Sequence, residues 1–324
     1  MQIEFLSNVL INNVSTRQQI VTLMVGLPGS GKSTVATKIA ANEPNTMILS
    51  SDQICAELFG SEEEQSNSSK VFSTLITRMR EALEEGQNVI VDATNINFKS
   101  RRGILAAVPN TVCPQKRAIL LTPSFETCKK QDSKRKRVVG EDIIWKYMKR
   151  FQLPTEAEGF DEIVWSGADA ETSLVSITNR MKDFDQTSAH HREDLLIHAS
   201  LTRDLYGGSH QKEIEAALLH DVGKLYTRTY NENGEACFYS HAEVGAYYLL
   251  SHSLEDKLYL PKELFESVIP LVNFHMLPFA WQNGVPPKQV KKELTPTMVE
   301  KVREFHQYDK LASFPNPEKI AVAG

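Results

Sequence analysis

Ile20-Val-Thr-Leu-Met-Val25-Gly26-Leu-Pro-Gly-Ser-Gly31-Lys32-Ser33 joins a short apolar run to a glycine-bearing turn and then to a helix-forming stretch, Lys32 to Ala41. Strand, loop and helix in that order aim backbone N–H groups and the positive end of the helix at one point, which suits a phosphate. The loop fits G-x-x-x-x-G-K-[ST], in which the lysine reaches the β and γ phosphates and the hydroxyl of Ser33 holds Mg²⁺. Gly26, Pro28, Gly29, Ser30, Gly31, Lys32, Ser33 and Thr34 are therefore the expected contacts to ATP.

Working outward, further strands are expected at Thr46 to Ser50, Asn88 to Asp92 and Arg117 to Leu121, with a last edge strand in Glu158 to Trp165. Helical stretches such as Ser68 to Glu85 separate them, and this alternation predicts an α/β domain: a parallel sheet with helices on both faces. The strand ending Ile48-Leu-Ser-Ser-Asp52 brings a carboxylate beside the loop. A hydroxyl attacking the γ phosphate needs an acceptor for its proton, so Asp52 reads as a general base, although an isolated Asp there would also serve as a helix N-cap. Lys129 to Arg137 holds six cations against Asp132. On a helix it is either a solvated face or a set of cations for the spreading negative charge of phosphoryl transfer.

The 324 residues, 41% hydrophobic and 24% charged with a net charge of -5, describe two globular domains and give no global attraction to an acidic partner. No leader-like start and no apolar run of membrane-spanning length are present, so a cytoplasmic protein without a membrane partner is expected. Cys55, Cys113, Cys128 and Cys237 form no metal-binding pair and read as reduced, buried thiols. Residues 1–18 receive no assignment, 19–165 form the first domain, 166–187 lack a strong apolar period and read as a linker, and 188–324 form an all-α domain. Its helices are expected at Arg192 to Tyr206, Lys212 to Asp221, His241 to Ser251, Lys262 to Phe274 and Thr295 to Leu311.

The loop with Thr34, then Ser-Ser-Asp52-Gln-Ile, then Val-Ile-Val-Asp92-Ala-Thr-Asn95, then the basic run, resembles the P-loop polynucleotide 5′-kinase family over residues 20 to 165. The resemblance implies that Asp52 is the base, that Asp92 and Asn95 line the nucleotide and acceptor cleft, and that Arg135 sits on a lid. Lys130, Lys134 and Arg137 are lesser phosphate contacts in that lid. One departure is Cys55, where the family usually has an arginine that grips an acceptor phosphate; kinases of small molecules share the loop and the aspartate.

In the second half, His220-Asp221-Val-Gly223-Lys224 closes an apolar helix, with Gly223 suited to stop it. Together with His198, His241, His275 and Asp309, this order resembles the HD superfamily of metal-dependent phosphohydrolases over residues 188 to 315. The resemblance implies a core metal site of His198, His220, Asp221 and Asp309, a second position completed by His241 and His275, and a phosphate-neutralising Lys224. Imidazole with carboxylate suits Mn²⁺, Ni²⁺, Co²⁺, Fe²⁺ or Zn²⁺ without choosing among them. His190, His191, His210, His252 and His306 are set aside as surface or core residues.

The two halves together imply a bifunctional nucleic-acid end-healing enzyme: an ATP-dependent 5′-OH kinase joined to a 3′-phosphatase or 2′,3′-cyclic phosphodiesterase. RNA ends come ahead of DNA ends as substrate, and a ligase is a candidate partner. The alternatives are a nucleotide or small-metabolite kinase fused to a nucleotidase, and an ATP-switched RNA-binding or regulatory module.

Overall fold

The computed structural model describes residues 18–60, 68–186, 193–207, 213–254, 264–281 and 286–313. Residues 1–17, His190, His191 and His210 lie outside them. Two units divide the chain: the first runs to Tyr147 and includes Pro154–Gly167, and the second takes Met148–Leu153 and the chain from Ala168 onward.

In the first unit come β1 (Ile20–Val25), α1 (Lys32–Asn42), β2 (Thr46–Ser50), α2 (Ser51–Phe59), α3 (Ser68–Glu84), β3 (Asn88–Asp92), α4 (Phe98–Leu105), β4 (Gln115–Leu121), α5 (Phe125–Asp132), α6 (Glu141–Met148) and β5 (Glu162–Ser166). The strands form one parallel sheet in the order β2-β3-β1-β4-β5. β1, which feeds the phosphate loop, is central, and successive residues Val21 to Val25 are all buried. Burial of both side-chain parities means both sheet faces are covered, which is why these strands read as continuous apolar runs. Met24, Ile90, Ile119 and Val164 pack with Ala36 and Ile39 of α1, fixing the helix that follows the loop against the sheet.

Two expectations shift here. The edge strand begins at Glu162, because Glu156–Glu158 is a 3₁₀ turn with a capping box from Thr155. Glu158 is then taken by the buried guanidinium of Arg101, at 2.8 and 2.9 Å. The basic run is no helix throughout: α5 stops at Asp132, and the cations that follow lie in a loop. Asp132, almost fully buried, stops the helix by turning its Oδ2 to accept hydrogen bonds from the N–H groups of Val139 and Gly140, both at 3.0 Å.

The second unit contains β6 (Ala170–Thr172), α7 (Leu174–Met181), α8 (Leu195–Gly207), α9 (Ile214–Leu219), α10 (Lys224–Thr227), β7 (Thr229–Tyr230), β8 (Ala236–Cys237), α11 (His241–Ser251), β9 (His252–Leu254), α12 (Ile269–Phe274) and α13 (Pro296–Ala312). It is helical, with two- and three-residue strands that pair β6 with β9 and β7 with β8. The expected linker is built into this unit instead. Ser173 caps α7 by accepting from Ser176 N–H, and Ile177 and Met181 are fully buried. The stripe is only Leu174, Ile177 and Met181, too short to raise a clear helical period. α11 is buried nearly all round, Glu243 excepted, which places His241 at the head of a core helix. Asn273 of α12 accepts from Leu153 N–H at 2.8 Å and donates to the Phe151 carbonyl at 3.2 Å, holding Met148–Leu153 to this unit.

Cys55 and Cys128 are buried as expected, whereas Cys113 is exposed and Cys237 half-buried; all four are thiols. Among the described residues no helix is long and apolar enough to cross a membrane.

Candidate phosphate cavity and candidate metal centre

At the carboxyl end of the sheet, Lys32, Ser33, Thr34, Asp52, Asp92 and Arg135 line a cavity of about 670 Å³. Pro28, Gly29 and Gly31 also face it, while Gly26 and Ser30 stand behind it. Gly29 has φ +77°, and a Cβ there would sit 2.2 Å from the Cys128 carbonyl oxygen, so the loop closes against α5 only with glycine. The Lys32 ammonium donates to the loop's own Leu27 carbonyl at 2.7 Å and lies 3.4 Å from Ser30 Oγ.

Burial drives the Lys32 pKa down to about 8, against the opposing pull of Asp92. A nucleotide triphosphate would raise it again, so the complex holds more protons than the free protein above about pH 8. ATP affinity should therefore be level below that pH and fall as pH rises through it. Calorimetry at about pH 8.5 in buffers of different ionisation heat should register proton uptake on ATP binding; zero uptake would refute the coupling.

Asp52 lies in the first turn of α2, where the N-cap is Ser50, whose Oγ accepts from Gln53 N–H. The bland capping role is thus filled by another residue. The Asp52 carboxylate instead accepts from Arg137 Nη1 at 3.2 Å and Arg135 Nη2 at 3.4 Å. The expected lid arginines therefore meet the expected base, but Lys130 and Lys134 do not join them: both are exposed and neither lines the cavity. Lys130 lies on the exposed side of α5, and Lys134 lies in the loop after α5 ends at Asp132. Asp92, paired in register with Ser50, brings a buried carboxylate to the cavity. Asn95 reaches the wall with φ 45°, its amide donating to the Met24 carbonyl at 2.8 Å, so its side chain braces the end of β1.

In the second unit all six expected ligands converge. His198 Nε2 lies 3.0 Å from Asp309 Oδ1 and 3.3 Å from His220 Nε2. His220 Nε2 lies 3.2 Å from Asp221 Oδ2. The other oxygen, Asp221 Oδ1, faces His241 Nε2 at 3.1 Å and His275 Nε2 at 3.8 Å, and those two nitrogens are 3.1 Å apart. Three imidazoles use the same device: Nδ1 of His220, His241 and His275 meets the carbonyl three residues earlier, Ala217, Phe238 and Val272, at 2.7–2.8 Å. Nδ1 thereby donates to the carbonyl, and each Nε2 is left to face inward. Glu193 stands 3.7 Å from His198 Nδ1.

Lone pairs crowded this way repel unless a cation lies among them, and the donor set therefore fits divalent ions of the borderline class. Protons feel the same field. Burial opposes charge on His220, yet Asp221 and Asp309 push its pKa up to about 10. His275 is driven down to about 3 by burial and then by the charges of His220 and His241. Burial works against ionised Asp221 and Asp309 as well, but His220 first among their neighbours holds both well below the usual carboxylate range. The Lys224 ammonium lies 2.7 Å from Asp221 Oδ2 and donates to Gln186 Oε1 at 2.9 Å.

Gly223 does not stop a helix by a left-handed turn; its φ is -64°. A Cβ there would lie 1.9 Å from the His241 carbonyl oxygen and 2.7 Å from Gly245 N, so the turn bearing Asp221 lies backbone to backbone on α11. Gly223→Ala should cost about 1–3 kcal/mol or more through overpacking and should displace Asp221 from His241. Metal analysis and thermal melting should show lost metal and a lower melting temperature; a variant with full metal content would refute the close-approach argument.

Sequence reasoning missed Gln186 and Glu193, which belong to no motif, and the clasp of Asp132. For Gln186 no sequence signal exists, because long-range folding alone brings it to Lys224; Glu193 is a local neighbour, five residues before His198.

Residues 21–154 match the family model of the AAA domain and residues 187–313 that of the HD domain. The chain is 27% identical over 174 residues to heterogeneous nuclear ribonucleoprotein U-like protein 2 of Mus musculus, and 28% identical to that of Homo sapiens. Each match covers 49% of this chain and 23% of the relative, so the chain spans about a quarter of the length of the curated relatives it matches. Among solved structures, a chain of the Pnkp1/Rnl/Hen1 RNA repair complex is similar at 22% identity and TM-score 0.37, over 42% of this chain and 44% of that one. A fungal RNA kinase is similar at 17% identity and TM-score 0.35, over 51% and 82%. The chain thus carries a region that matches the AAA domain ahead of a region that matches the HD domain.

Proposed function

We propose that the protein heals nucleic-acid ends, RNA ahead of DNA, by phosphorylating a 5′-OH and by hydrolysing a 3′-phosphate or 2′,3′-cyclic phosphate. The observation behind this reading is one chain that carries both a cavity lined by the glycine loop, Lys32 and Asp52 and a pocket in which Asp221 stands between two groups of histidines. In the cavity, Lys32 would leave the Leu27 carbonyl for the phosphates of ATP, and Ser33 would hold Mg²⁺. Asp52 would take the proton of the attacking hydroxyl, while Arg135 and Arg137 move from it to the transferring phosphoryl group.

In the pocket, His198, His220, Asp221 and Asp309 would hold one divalent ion, and His241, His275 and the second Asp221 oxygen another. Such ions, when bound, clamp a phosphate and acidify a coordinated water. The chain's own part is orientation: three carbonyls fix the imidazoles, and Lys224 sets the lie of Asp221.

A second reading, a nucleotide or small-metabolite kinase fused to a nucleotidase, draws support from Cys55, which is buried in the cavity wall with Val71 and Leu75 nearby in place of a cation. Labelled ATP offered to a 5′-OH oligonucleotide alongside nucleosides separates the two. Label on the oligonucleotide, and phosphate release from 3′-phosphate or cyclic ends, is the expected result; label on nucleosides alone transfers the conclusion to the second reading.

A further inference from the structure

Gln186 follows α7 and stands one residue before the span that matches the HD domain. It is fully buried, and its Oε1 accepts from Lys224 Nζ at 2.9 Å. Lys224, 4% exposed, at the same time lies 2.7 Å from Asp221 Oδ2, the oxygen that faces His198 and His220. The other end of the Gln186 amide, Nε2, is buried without a hydrogen-bond partner. Reversing the amide would put N–H against the ammonium, so Lys224 dictates the orientation seen. A residue chosen for packing alone would be an apolar side chain of the same length, which strands no donor.

An ammonium held by a second oxygen draws less on the first. We propose that Gln186 is a positioning residue of the metal centre, holding Lys224 partly away from Asp221 and so preserving the charge that Asp221 offers an ion. The proposal rests on the metal-binding reading of the pocket and extends that centre to a segment outside the matched domain. Isosteric replacements then act in opposite directions. Gln186→Met lets Lys224 lean fully on Asp221 and weakens metal binding, whereas Gln186→Glu draws the ammonium off and does not.

The test is a Co²⁺ titration of the full chain followed by visible absorption, with circular dichroism as a fold check. Gln186→Met should bind Co²⁺ at least about tenfold more weakly, the range of second-shell ligand effects, and Gln186→Glu as tightly as wild type or more so. In a Lys224→Met background, adding Gln186→Met should change affinity less than about twofold, the signature of an effect transmitted through Lys224. Equal weakening by Met and Glu, or a Met effect that persists without Lys224, would overturn the proposal. If the Met variant unfolds, the isosteric Glu variant decides it: loss of affinity there is equally fatal. A wild-type chain that binds no Co²⁺ would instead strike the metal reading itself.

Discussion

Asp52→Asn should lower phosphoryl transfer about 10²–10⁴-fold while hydrolysis by the HD domain stays at its wild-type rate. Asparagine keeps the size of the side chain but cannot take the proton of the attacking hydroxyl. It also releases Arg135 and Arg137, which both hold the carboxylate in the structure. The KM for ATP should therefore move little, and the loss should fall on kcat. Lys32→Met should differ by raising the KM for ATP as well, because on the proposed reading that ammonium would contact phosphate in the bound state. Rates of both half-reactions measured on one preparation decide the matter; a joint loss of kinase and hydrolase activity in folded Asp52→Asn protein would show that the two sets of groups are not chemically independent.

Asp221→Ala should take bound metal from the two ions proposed per chain toward none, whereas His241→Ala should take it only to one. The difference lies in geometry: Oδ2 of Asp221 faces His198 and His220, and Oδ1 faces His241 and His275. Removing the shared carboxylate would empty both clusters and take from the buried Lys224 the anion it lies against. Hydrolysis of 3′-phosphate and cyclic ends should fall with the metal, and kinase activity in Mg²⁺ should persist. Elemental analysis after loading with Mn²⁺ or Ni²⁺ is the measurement. One ion in the wild type, together with full activity of His241→Ala and His275→Ala, would return both histidines to a structural role.

The parts of these sites legible in the sequence are those whose chemistry restricts residue type locally. A loop that wraps phosphate needs glycines at fixed spacing, and Gly29 shows why, since any side chain there collides with Cys128. Histidines and aspartates are read by type, and six of them in order fall into one pocket. Positions fixed by distant parts of the chain were not legible. α5 ends at Asp132 and leaves Lys134 in a loop, and nothing within four residues announces that Asp132 will be buried against Val139 and Gly140. Gly223 was identified for the wrong reason, because its neighbour across space, His241, lies eighteen residues on. α7 looked like linker because its apolar stripe spans only two turns.

Asp132 also determines what kind of segment the arginines ride on. Its carboxylate ties Val139 and Gly140 back to the end of α5, so the segment between them is a loop whose ends have already met. The entropy of joining those ends, which grows only logarithmically with loop length, is surrendered when the domain folds and not when nucleotide arrives. On the proposed reading ATP would therefore meet a short tethered arc with little backbone disorder left to quench, and the heat of its binding should carry no signature of coupled folding.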